Sequence, residues 1–211
     1  MKKITLLTLA IGVLINLYSQ NIVEKPATMH LLDGKKIELK SFFIDKENSR
    51  VVYTYLRNDT KIKRNYKDFE DIYSMTINAA DTIFYAPQTT EELPISEMAK
   101  VVNGSSFAVK EYNPWWAIAT GVVVGGSSMF ATGNNYINFS IPIVYITGMY
   151  FAKPCKSNVI KHYPDYSNDD LFIQGYRNAG NKKIFKKTFI GTIGGMAVSG
   201  IVLGIMGMSS K

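Results

Sequence analysis

Hydrophobic and polar residues follow two different patterns along this chain. Between residues 22 and 90, short β-branched and aromatic runs alternate with polar positions, as in "RVVYTYL" (50–56) and "FEDIYSMTI" (69–77). From Tyr112 to Ala152 no side chain is charged, and Thr188 to Ser210 is a second uncharged stretch. Alternation with period two predicts half-buried strands, whereas long uncharged apolar runs predict helices in lipid, where the backbone must satisfy its own hydrogen bonds.

In the alternating part, "ATMHLLDGKKIELKSFFI" carries Asp33-Gly34, a hairpin signal because both central residues tolerate positive φ. "RVVYTYL" ends at a second turn, Asn58-Asp59, and "TKIKRNY" (60–66) follows as a polar strand. Lys61, Lys63 and Lys67 mark that strand as an edge protected against pairing with other chains. "FEDIYSMTI" and "TIFYA" (82–86) pair across "NAAD". The expectation is an α+β membrane protein whose exported β domain (22–90) is a small antiparallel sheet or SH3-like barrel. Ile37, Leu39, Phe43, Val52, Tyr55, Ile72, Met75, Ile77, Ile83 and Phe84 are its core candidates. Tyrosines 53, 55, 66, 73 and 85 are read as half-buried strand residues rather than a ligand platform. A linker helix is expected within 91–111, stopping at Asn103-Gly104.

"PWWAIATGVVVGGSSMFATG" (114–133) and "TFIGTIGGMAVSGIVLGIMGM" (188–208) predict transmembrane helices, each about 30 Å long at a helical rise. Trp115 and Trp116 sit where amphipathic rings prefer the headgroup level, and Lys182, Lys183, Lys186 and Lys187 precede the second run. Gly121 and Gly125 are spaced to let helix backbones approach, as are Gly191 and Gly195, and Gly200 and Gly204. Packing within one chain is preferred over a homo-oligomer or pore. The segment 136–152, with Pro142 inside, could be a third span, a re-entrant hairpin or an interfacial segment. The basic loop 153–187 holds eight Lys or Arg against three Asp, so the positive-inside rule makes it cytoplasmic. That favours two antiparallel spans with a non-crossing middle. Within the loop, 169–187 predicts an amphipathic helix interrupted at Gly175 and Gly180, capped by Ser167 or Asn168, lying on an anionic leaflet.

Charge and the amino terminus place the chain rather than name a reaction. "MKKITLLTLAIGVLINLYSQN" has a basic start and a short apolar run, predicting a signal peptide over 1–20, with an uncleaved anchor as the alternative. Lys plus Arg number 24 against 17 Asp plus Glu, and much of the excess lies in one loop, which argues against nucleic acid. Cys155 is the only cysteine, so no intrachain disulfide forms. Cys155 and His162 share a loop without a third orienting group, and "PDYSNDD" lacks the glycine and distal Glu of a calcium loop. "GTIGG" lacks the Lys-Ser/Thr of a phosphate loop. No catalytic, cofactor or metal site is expected, nor an enzyme.

The order of "DGKKIELKSFF", "RVVYTY", "DIYSMTI", "TIFYAP" and the glycine-rich segments around "GYRNAGNKK" resembles small uncharacterised bacterial envelope proteins. The resemblance implies no activity. Function is therefore expected to be non-enzymatic: a β domain on the extracytoplasmic side of a bacterial cell membrane binds a protein or cell-wall partner. The alternative is an oligomeric glycine-zipper component for permeation or membrane remodelling.

Overall fold

The structure, a computed structural model, describes residues 26–58, 60–131 and 135–209. The signal peptide expected over 1–20 lies outside them. The described residues form two antiparallel sheets and five α-helices, in two compact units that meet at Ile95–Ser96 in the chain.

The first unit contains β1 (Ala27–Leu31), β2 (Lys36–Leu39), β3 (Ser41–Asp45), β4 (Arg50–Arg57), β5 (Lys61–Asp68), β6 (Ile72–Ile77) and β7 (Ala80–Ile83). One sheet has the order β2-β1-β6-β7 and the other β3-β4-β5. Only Lys40 separates β2 from β3, and its N–H donates to the Thr54 carbonyl of β4, so one bent run of chain serves both sheets. Turn chemistry sets the hairpins. Gly34 has φ 82°, Asn58 has φ 54°, and Asn78 and Ala79 have φ 51° and 65°. Asp45 ties the β3–β4 turn by accepting from Asn48 Nδ2 and Arg50 Nε, both at 2.9 Å. The Asn48 side-chain hydrogen bond leads the causes that hold its carboxyl below the usual range.

The core of this unit is Ala27, Met29, Leu31, Leu39, Phe42, Val51, Tyr53, Ile72 and Met75. Two expected positions are out of phase: Phe42 and Val51 are buried where Phe43 and Val52 were expected. "FFI" and "VVY" are apolar in both phases, so alternation alone does not say which side faces in. Ile83 is exposed, while Ile37, Tyr55, Ile77 and Phe84 pack half-buried against the core. Tyr73 and Tyr85 donate to the Ile95 and Leu93 carbonyls, at 3.4 and 2.7 Å, pinning the segment after β7.

The second unit contains α1 (Ile95–Glu111), α2 (Trp115–Ala131), α3 (Asn135–Met149), α4 (Ser157–His162) and α5 (Asp170–Ser209). α5 spans 40 residues, about 60 Å of helix. The expected breaks at Gly175 and Gly180 do not occur, nor does α1 stop at Asn103-Gly104. These glycines are places of close approach. A Cβ on Gly104 would strike the Phe172 carbonyl, one on Gly175 the Val101 carbonyl, and one on Gly180 would lie 2.6 Å from the Pro154 ring. Each helical glycine costs about 1 kcal/mol in propensity, which the backbone contact offsets. The cap also differs from expectation. Asp169 Oδ1 accepts from Leu171 and Phe172 N–H at 3.1 and 3.2 Å, while Oδ2 meets Lys100 Nζ of α1 at 3.0 Å. Lys100 is the leading cause holding the Asp169 carboxyl below its usual range.

Around this junction Phe107, Ala108, Val159, Phe172, Ile173, Tyr176 and Ala179 form a second core. α1 ends where Asn113-Pro114 disfavours further helix. Lys183 Nζ then donates to the Val109 and Tyr112 carbonyls at 2.5 and 2.9 Å, and Lys187 donates to Asn113 Oδ1. Lys183, a cation expected at the membrane interface, thus caps the negative end of α1, while Lys187 holds the Asn113 side chain just beyond it.

Candidate functional site

The feature that organises the second unit is a parallel seam between α1–α2 and α5. Val101 meets Gly175, Val109 meets Lys183, Ile118 meets Gly191, Val122 meets Gly195, and Gly126 meets Ser199. Both chains advance together, so α2 and α5 run parallel. This overturns the expected arrangement of two antiparallel apolar helices. The reason is steric: Gly121, Gly125, Gly191 and Gly195 bring the backbones together in that one register. A Cβ on Gly121 would lie 2.8 Å from the Thr188 carbonyl, and one on Gly125 would overlap the Thr192 carbonyl.

Two parallel helices on one chain need a return path, and α3 supplies it. Tyr145 Oη of α3 donates to Thr120 Oγ1 near the start of α2 at 2.6 Å. Asn181 Nδ2 donates to the Tyr150 and Ala152 carbonyls, each at 2.6 Å, and the Tyr150 ring is 5.7 Å from Phe185. α3 therefore runs back along α2 and delivers residue 153 to the end of the unit that holds α1. Pro142 lies inside α3 without ending it.

Burial in the apolar half is inverted relative to the two cores. Small and polar residues are inside: Gly121, Gly125, Ser128, Thr188, Gly191, Thr192, Gly195 and Ser199 are buried. Large apolar residues point outward, with Val123 66% exposed, Val144 71% and Ile201 64%. α5 is long and apolar enough to cross a membrane, and α2 is a shorter apolar helix. Near the end of α1, where Lys183 caps it, Trp115, Trp116, Tyr150 and Phe151 are exposed, as are Lys182 and Lys186. Gly200 and Gly204 differ from the other seam glycines, since no heavy atom of the described residues lies within 4 Å of their added Cβ positions.

The candidate chemical groups are dispersed. Cys155 is exposed, and the Ser157 N–H is the largest influence lowering its thiol from the usual value. His162 packs instead against Phe107, ring centroids 6.3 Å apart. Among the described residues no group of three or more His, Cys, Asp or Glu could hold a metal. An open groove of about 500 Å³ lies along Thr28, Glu38, Lys40, Leu56 and Thr76 of the β unit.

Comparison with protein-family models, curated proteins and solved structures finds no match.

Proposed function

We propose that the chain is a non-enzymatic anchor that holds its β unit at the surface of a bacterial envelope membrane, on the extracytoplasmic side, for binding a protein or cell-wall partner. The observation that carries this is the inverted burial of α2, α3 and the second half of α5. A helical bundle in water hides its large apolar residues, yet here glycine, serine and threonine fill the seam while valine, isoleucine and phenylalanine face out. Lipid solvates such a surface, and close backbone packing then replaces the hydrophobic drive between helices. In this arrangement α2, α3 and α5 each cross, leaving α1, the 153–169 segment and the charged half of α5 on the side of the β unit, so the packing outweighs the loop charge that favoured a cytoplasmic loop. The exposed aromatic and lysine ring at Trp115, Tyr150, Lys182 and Lys186 lies at the headgroup level.

The test places an acid on the lipid-facing surface. Val198, 63% exposed, stands mid-way along the uncharged half of α5. On a water-facing surface Val198→Asp changes stability by roughly 0.5 kcal/mol or less, whereas mid-bilayer it costs about 3 kcal/mol of insertion. The wild type is expected to stay with alkaline-washed membranes and Val198→Asp to be largely released. Gln174→Asp, on the charged half of the same helix, is expected to behave as wild type. Release of the wild type, or equal behaviour of both variants, overturns the proposal.

A second reading, self-association through α5, is favoured by one observation: Gly200 and Gly204 keep their close-approach spacing but face open space.

A further inference from the structure

The longest edge strand of the β unit is β5, almost wholly exposed, and it carries charge in a pattern that selects a partner. Of Lys61–Asp68 only Lys67 is partly covered, and among the described strands β5 pairs with β4 alone. Among the described residues its other backbone edge is therefore open along the strand, apart from the Tyr66 N–H, which donates to Asn65 Oδ1 at 2.9 Å. A free edge of that length is a template for strand addition.

The pleat divides β5 into two faces. Lys61, Lys63, Asn65 and Lys67 share the face of Val51 and Tyr53, beyond the margin of the core. Ile62, Arg64 and Tyr66 share the other, where Ile62 is 64% exposed and the Arg50 guanidinium lies 5.4 Å from the centre of the Tyr66 ring. Lys67 is paired with Asp71 at 2.7 Å, but Lys61, Lys63 and Arg64 make no ion pair among the described residues. A second copy brought edge to edge would set these cations against each other, which disfavours self-pairing. The same cations attract an acidic strand, because opposite charges directly across a strand pair stabilise it.

We propose that the free edge of β5 accepts an added strand from a partner polypeptide bearing acidic side chains at alternate positions. The acids stand opposite Lys61 and Lys63, and the intervening residues lie over Ile62 and Tyr66. The inference deepens the proposed anchoring function by naming the kind of partner, and it rests on that function only for the claim that β5 is displayed at a membrane surface.

The probe is an eight-residue peptide alternating Glu and Val, titrated into the full chain in nanodiscs made of uncharged lipid. Binding that weakens as salt rises is expected, because these charges are exposed. The triple variant Lys61→Glu, Lys63→Glu, Arg64→Glu is expected to bind roughly tenfold more weakly with an unchanged far-UV spectrum. Should that variant misfold, two N-methylated peptides carry the test on the wild type. Methylating the amides that face β5 abolishes binding, while methylating the other alternate set does not. Absence of peptide binding overturns the proposal, as does equal binding of both methylated peptides or of an alternating Lys-Val peptide. Capture of anionic vesicles without capture of the peptide overturns it too, and assigns the basic strand to lipid. None of these results depends on whether Val198→Asp releases the chain from membranes, so either inference can fail alone.

Discussion

Gly125→Leu is expected to abolish the cooperative unfolding transition of the helical unit, a loss of at least about 3 kcal/mol. The added side chain has nowhere to go. Its Cβ alone would overlap the Thr192 carbonyl, which is fixed by the α5 helix and cannot rotate away as a side chain could. The two helices must separate, and with them the contacts of Gly121, Gly191 and Gly195. Gly204→Leu is the matched control: the same residue type in the uncharged half of α5, but with open space at the Cβ among the described residues. Thermal unfolding in micelles, followed by far-UV circular dichroism, should show the first variant without a transition and the second with one at least as stable as wild type. Cross-linking of the same samples tests self-association. If Gly204→Leu lowers the cross-linked fraction while leaving the monomer folded, the outward glycines pair between copies.

Tyr176→Ala is expected to cost about 3–5 kcal/mol, the range for emptying a large aromatic site. Tyr176 is completely buried where α1, α4 and α5 converge, with the Phe107 ring 5.7 Å and the Tyr112 ring 5.9 Å away. Its cluster holds the rings of Phe107, Phe172 and Tyr112, which are anchored on helices or at a helix end and collapse poorly around a void. Tyr176→Phe keeps the ring and removes the Oη hydrogen bonds, to the Cys155 carbonyl at 3.3 Å and to the Asn158 side chain, and should cost about 1 kcal/mol. Chemical denaturation of both variants checks the ratio. Equal losses would mean that the hydrogen bond, not the ring, holds this junction.

Much of the strand order was legible in the sequence because each turn carries its own chemistry. Asp33-Gly34 and Asn58 stand at hairpins, with Gly34 and Asn58 at positive φ. What the strands bury was less legible, since Phe42-Phe43 and Val51-Val52 offer an apolar residue in either phase. The helices show the opposite balance. Their apolar stretches were plain, but the direction in which they pack was not. Counting charge on the 153–187 loop favoured antiparallel helices, but a charge count does not see the backbone contacts of Gly121, Gly125, Gly191 and Gly195 that set the parallel register. The glycines at 104, 175 and 180 looked like helix breakers because propensity sees only the local chain. Their neighbours, Phe172, Val101 and Pro154, are far away in sequence, and only those contacts explain why a glycine is needed.

The parallel seam is the central claim, and side-specific thiol labelling tests it most directly. Cys155, exposed and the only cysteine, reports one position, and Glu97→Cys in a Cys155→Ala background reports an exposed site on α1. A membrane-impermeant maleimide is applied to intact spheroplasts and, separately, to inside-out vesicles. Parallel α2 and α5 with a returning α3 predict that both cysteines label from the same face of the membrane, and neither from the other. Labelling of Cys155 from one face and of position 97 from the opposite face would contradict the account.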